Sequence, residues 1–219
     1  RQWQEKTKMV REILISAIDG LASNQLFGFK GLPVSGEDEF GFGLRSGWAG
    51  TQRYSTVWSG DQTGNWEYIR FHIPTIIGSG LSAQNAATGD VDGIFGGSDS
   101  TYVRDLQWKC FTPVLMVMSG WAKKDKQPYI SGEPYTSINR KYLQLKMRLT
   151  PYMYTYCQNA HETGVPASRA MVLEYPQDKN TWDKKTQYQF MNGEWLLVAP
   201  VYKSQAKRDS IYLPEGDWF

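Results

Sequence analysis

The strongest constraint on the fold of this chain is a change of hydrophobic period along it. Between residues 40 and 161, short apolar runs alternate with helical patterns, whereas beyond Gly164 and Pro166 only short strand-like runs separated by turn residues remain. The first region reads as strands at 40–45, 91–95 and 114–118 and a short strand ending at Val57 and Trp58, with helices at 66–77 (crossed by Pro74) and 103–111. A longer helix spans 137–161, with Tyr142, Leu145, Leu149, Tyr152, Met153, Tyr156 and Ala160 as its buried stripe and a kink at Thr150-Pro151. A further helical pattern at 3–21 opens the chain. Such alternation predicts an α/β fold, a parallel sheet covered by helices, open or closed into a barrel. The later strands, at 170–175, 188–191, 195–201 and 210–213, predict a separate β domain or a sheet packed on the first.

Composition removes several functions. The 219 residues are 41% hydrophobic and 21% charged with a net charge of +2, which gives neither a disorder signal nor a polyanion-binding one, so nucleic acid is not an expected partner. No apolar run is long enough to span a bilayer, and the charged first residues lack the apolar segment of a secretion signal. The compartment stays open between secreted, cell-surface and cytoplasmic. Cys110 and Cys157, with apolar flanks and no CxxC spacing, predict two buried free thiols and no metal site. Aromatic residues make up 14% of the chain, an enrichment that suits either a carbohydrate site or a large core.

One stretch concentrates chemistry. In residues 45–61 an aromatic and glycine shell leads to a single carboxyl group: Arg45, Trp48 and Trp58 supply a charge and flat apolar faces, and Asp61 supplies the acid. Aromatic rings stack on sugar rings, and burial beside them favours the protonated form of a carboxyl group. The alternative is an ordinary buried Trp beside a turn Asp. Of the two histidines, His72 falls within a helix and His161 at a helix end, and both are read as structural.

From about Leu44 to Phe219 the chain resembles the retaining α-glycosidases of glycoside hydrolase family 31, through an ordered series of motifs. Arg45-Ser-Gly-Trp48 and Trp58-Ser-Gly-Asp61 resemble that family's general-acid segment; Gly80-Leu-Ser and Asp90-Val-Asp92-Gly93 resemble its next strand and loop aspartate. Arg104, Gln107, Phe111-Thr-Pro113, Glu133-Pro134, Leu149-Thr-Pro-Tyr-Met-Tyr, Arg169-Ala-Met, Tyr175-Pro-Gln-Asp178, Leu196-Leu-Val-Ala-Pro-Val201 and Tyr212-Leu-Pro-Glu-Gly216 continue the order. The resemblance implies the second half of a (β/α)8 barrel over residues 1–165 and the start of a β-sandwich over 166–219, the chain being a piece of a longer enzyme whose N-terminal part is its partner. It implies a carbohydrate or glycoconjugate substrate and no cofactor.

Retention at an α-glycoside needs a carboxylate that attacks the anomeric carbon and an acid that protonates the leaving oxygen, about 5–5.5 Å apart. The resemblance makes Asp61 the acid and later the base, Arg45, Trp48, Trp58, Asp90, Asp92 and Trp121 sugar-contacting residues, and places the nucleophile upstream of Arg1; Asp19, Glu37 and Asp38 are the alternatives within the chain. The alternative for Asp90 is an N-terminal cap or turn residue, and Asp92, which stands where the family usually has glycine, is either a subsite group or a turn residue. The chain departs from the family after Pro113: instead of Pro-x-x-Arg-x-His it has Met116 and Met118, two thioethers for two polar donors. That floor predicts an α-N-acetylgalactosaminide substrate over an α-glucoside, unless the two Met fill the core and Trp121 takes over the contact. An α-glucosidase, a transglucosylase of the same fold and a non-catalytic sugar-binding piece are the other readings.

Overall fold

In a computed structural model of the chain, residues 43–44, 52, 56–205, 207–208 and 210–219 are described. The chain divides into two compact units, residues 1–59 and 60–219. The expected helix at 3–21 lies outside the described residues. In the first unit, β1 (Gly43–Leu44) and β2 (Thr56–Trp58) pair in parallel, Gly43 opposite Thr56 and Leu44 opposite Val57. Trp58, which closes β2, is buried at 1% exposure.

The second unit opens with α1 (Trp66–Ser79), started by the Asn65 side chain accepting from the Tyr68 N–H at 2.7 Å and continuing past Pro74. β3 (Ala87–Thr88) follows, then α2 (Asp99–Lys109), which begins on a Ser98–Thr101 capping box. Val91, Tyr102, Leu106 and Cys110 form a buried cluster against which Leu115, Val117, Tyr142 and Leu143 pack, so α2 lies between the 114–118 segment and α3 (Tyr135–Arg148). Next come α4 (Thr150–Thr163), β4 (Ser168–Ala170), the single turn α5 (Met171–Glu174), β5 (Phe190–Asn192) and β6 (Leu196–Val198). β4, β5 and β6 make a three-stranded antiparallel sheet with Ala170 opposite Phe190 and Phe190 opposite Val198. Tyr156 and Met153 of α4 pack on Ala167, and the Tyr152 hydroxyl donates to the Asn192 carbonyl at 2.7 Å, which fixes the sheet to the helix. The described residues form no closed barrel.

Five elements differ from the sequence expectation. The predicted strand at 91–95 is a turn, because Asp92 and Gly93 both take φ of +60°, which a strand cannot hold; its pairing is reduced to an isolated antiparallel bridge at Gly93, and Asp90 before it is bridged in parallel to Met116. That bridge is all the strand pairing made by the extended 114–118 run. The long helix is two, divided at Leu149: Pro151 has no N–H to donate and its ring crowds the preceding turn, yet it suits the first turn of a new helix. After Ala170 the chain coils into α5 instead of extending to 175, since β5 offers no pairing beyond Phe190. Finally, 210–213 is not a strand. The Gln189 amide imitates one, its Nε2 donating to Tyr212 O at 2.7 Å and its Oε1 accepting from Tyr212 N at 3.0 Å. Both cysteines are free, Cys110 buried and Cys157 only half-buried.

Candidate functional site

Asp61 follows Gly60, whose φ of +100° turns the chain sharply, and is half-buried. The residues after it are laced antiparallel to the loop beyond Asp90: Thr63 bridges Gly93, the Phe95 N–H donates to Gln62 O at 3.2 Å, and the Gly64 N–H donates to Gly96 O at 3.1 Å. Only glycine permits so close an approach. A Cβ on Gly64 would overlap the carbonyl and carboxyl oxygens of Asp92, and one on Gly97 would overlap the Gly64 carbonyl. The two carboxylate-bearing loops are therefore one laced structure.

Beneath that lacing lies a buried charged cluster. The Lys109 ammonium, wholly buried in the last turn of α2, donates to Asp105 Oδ2 at 2.6 Å, to Asp90 O at 2.8 Å and to the Tyr68 hydroxyl at 3.3 Å. Tyr68 in turn donates to Asp90 O at 2.6 Å. Asp105 also accepts from the Trp108 indole and from the Asp92 backbone N–H, each at 2.7 Å. Burial lowers the Lys109 pKa, with the Asp105 carboxylate opposing the shift. From the loop after Met118, Lys126 donates to the Gly93 carbonyl, and its own carbonyl accepts from the Tyr102 hydroxyl at 2.7 Å. Buried charges persist only when paired in this way.

Asp90 and Asp92, expected to meet sugar hydroxyls, are 0% and 3% exposed. Asp92 Oδ2 accepts from the Gly97 N–H at 2.6 Å, and burial pushes its pKa up to about 6 against the pull of hydrogen bonds from Thr101 and Gly97. The cavity beside Asp92 holds about 130 Å³, less than the roughly 300–1,000 Å³ of ordinary ligand pockets. A groove of about 960 Å³ along α3, lined by Tyr129, Arg140, Tyr142 and Met147, includes none of the candidate residues.

Met116 and Met118 are half-buried; because Leu115 and Val117 face the α2 core, the alternation of an extended run turns both thioethers to the opposite face, while the Met116 backbone bridges Asp90. They do not belong to that core cluster. Trp121 is 63% exposed, on the loop that Lys126 anchors. Arg45 and Trp48 lie outside the described residues, and Trp58 belongs to the first unit. His72 is sealed among the rings of Tyr68, Phe71 and Trp108, with its pKa held well below the ordinary value by burial and by Lys109; His161 is exposed at the end of α4.

Sequence reasoning missed Asp105, Lys109 and Lys126. The first pair carried a signal, an Asp and a Lys four apart on one helix, beside Tyr102, Leu106 and Trp108. Lys126 carried none, since nothing in a lysine-rich loop marks which ammonium turns inward.

Comparison with known proteins gives the same order of segments. Residues 22–156 match the TIM-barrel domain of glycosyl hydrolases family 31, and residues 164–219 match that family's C-terminal domain. Alpha-glucosidase 2 of Bacillus thermoamyloliquefaciens is 33% identical over 175 residues, 80% of this chain and 22% of that protein. Glucosidase 2 subunit alpha of Schizosaccharomyces pombe is 33% identical over 174 residues, 79% of this chain and 19% of that protein. A solved dextranase of Flavobacterium johnsoniae, complexed with glucose, superposes with a TM-score of 0.72 at 37% identity, covering 80% of this chain and 22% of its own. The chain spans about a fifth of the length of these relatives. With both domain models matched in order and together covering most of its residues, the chain belongs to glycosyl hydrolase family 31.

Proposed function

We propose that the protein carrying this chain is a retaining exo-α-glycosidase acting on α-glucosides, with residues 1–165 contributing the second half of its (β/α)8 barrel and 166–219 the start of its β-sandwich. The observation that carries the proposal is Asp61 itself, a half-buried carboxyl group in a turn just beyond a short strand, the position from which barrel enzymes present catalytic groups. The α-N-acetylgalactosaminide preference drawn from Met116 and Met118 gives way to an α-glucoside, because the relatives named above are two glucosidases and a dextranase. An α-transglucosylase is the second reading.

In this mechanism the attacking carboxylate, assigned upstream of Arg1, forms a bond to the anomeric carbon as the glycosidic C–O bond breaks, and Asp61 gives its proton to the departing oxygen. Asp61 then takes a proton from water while the water oxygen bonds to the anomeric carbon and releases the carboxylate. In a transglucosylase a sugar hydroxyl replaces the water. Met116, Met118 and Trp121 offer apolar surface to the sugar. Asp90 and Asp92 act as scaffold.

The test is Asp61→Ala in the full-length protein. Hydrolysis of an α-linked glucose disaccharide should fall by about a thousandfold or more, general acid catalysis being worth roughly 10²–10⁴-fold, while p-nitrophenyl α-glucoside, whose leaving group needs little protonation, retains much of its glycosylation rate and azide accelerates turnover. Unchanged hydrolysis of the disaccharide removes Asp61 from the mechanism.

A further inference from the structure

We propose that Asp92 is a positioning residue for Asp61, its carboxyl group holding the 92–97 turn in the one shape onto which the Asp61-bearing turn is laced. This inference rests on Asp61 being the acid.

The geometry calls for a short side chain with an acceptor oxygen at this position. Asp92 takes φ of +60°, a left-handed conformation that glycine adopts freely and that asparagine and aspartate tolerate better than other side chains. From there it folds back on its own loop. Oδ2 accepts from Gly97 N five residues on, while the Asp92 N–H is held by Asp105 of α2, so both ends of the turn are tied to one residue. Oδ1 lies against Gly64, at a place where no side chain fits. Gly64 is three residues from Asp61, and its N–H bonds to Gly96, inside the span that the Asp92 carboxyl group closes. Losing the carboxyl group frees Gly97 N and opens space beneath Gly64. The turn that carries Asp61 then loses its backing.

Burial raises the Asp92 pKa, so near neutral pH the fold retains an ionised carboxylate there against its desolvation cost, in contact with Thr101 and Gly97 and near the charges of Asp105 and Lys126. A residue serving only the turn would be replaced at lower cost by glycine.

The experiment compares Asp92→Gly and Asp92→Asn in the full-length protein. Glycine satisfies the backbone and removes the acceptor; asparagine keeps an acceptor and the shape. With kcat/KM measured on an α-linked glucose disaccharide and on p-nitrophenyl α-glucoside, Asp92→Gly should lose about tenfold or more on the disaccharide and less than about twofold on the aryl glycoside, a change typical of a misplaced catalytic group. Asp92→Asn should recover most of the disaccharide rate. An equal loss on both substrates, or no loss on either, overturns the positioning role. Asp61→Ala run alongside separates the two ideas: if it shows the leaving-group dependence and Asp92→Gly does not, the positioning role alone fails, and if Asp61→Ala hydrolyses the disaccharide normally, the acid assignment fails with it.

Discussion

Gly64 and Asp92 show how much of this site rests on single atoms. Adding one methyl at Gly64 drives it into the backbone carbonyl of Asp92, a group that cannot swing aside. Gly64→Ala should therefore destabilise the protein by about 1–3 kcal/mol, the usual cost of overpacking, seen as a lower Tm. An unchanged Tm would mean that the lacing is loose. Asp92 makes the complementary prediction in pH. Its pKa is raised from the ordinary 3.8 to about 6, chiefly by burial and further by Asp105, against Thr101, Gly97 and Lys126. The folded state thus holds a proton that the unfolded chain releases, so the contribution is complete below pH 4 and is lost as pH rises through 6. Relative to Asp92→Asn, the wild-type protein should lose on the order of 2–3 kcal/mol of stability between those limits, at about 1.4 kcal/mol per pKa unit. Parallel stability curves for the two proteins from pH 4 to 7 would contradict this.

Among the elements, the helices were largely legible and the strands were not. α1 and α2 carry their own start signals, Asn65 and Ser98, and an apolar stripe over ten or more residues. Strands of two or three residues have no such redundancy, and whether a short apolar run pairs depends on a neighbour distant in sequence. Gln189 illustrates the substitution of a side chain for a strand. It is 2% exposed and makes both of its amide bonds to the Tyr212 backbone. Gln189→Leu keeps the bulk and removes both bonds, which should cost about 1–3 kcal/mol and quicken proteolytic cleavage between Lys203 and Tyr212. Wild-type cleavage rates would show that other contacts hold the segment.

For the molecule as a whole, the sugar is the open term in the chemistry. The family relationship favours an α-glucoside, and the two thioethers at 116 and 118 are the feature that argued otherwise. In the full-length protein, kcat/KM for p-nitrophenyl α-glucoside should exceed that for p-nitrophenyl α-N-acetylgalactosaminide by about tenfold or more, since a site built for one 2-substituent leaves groups unpaired or crowded with the other. The reverse order would return the assignment to the N-acetyl sugar and to Met116 and Met118 as its cause.

The amino-acid order alone determined the family, the candidate acid at Asp61 and the change from alternating strands and helices to a strand-rich tail, because motif spacing and hydrophobic period are local properties of a chain. It also marked Asp92 as unusual. Only the tertiary structure decided that Asp90 and Asp92 turn into the protein, that Asp105, Lys109 and Lys126 gather beneath them, and that the loop carrying Asp61 is laced to theirs. The reason is physical: a carboxylate in a loop has the same sequence signature whether it meets solvent, a sugar or a buried ammonium, and the choice among them is made by burial and by partners that lie far away along the chain.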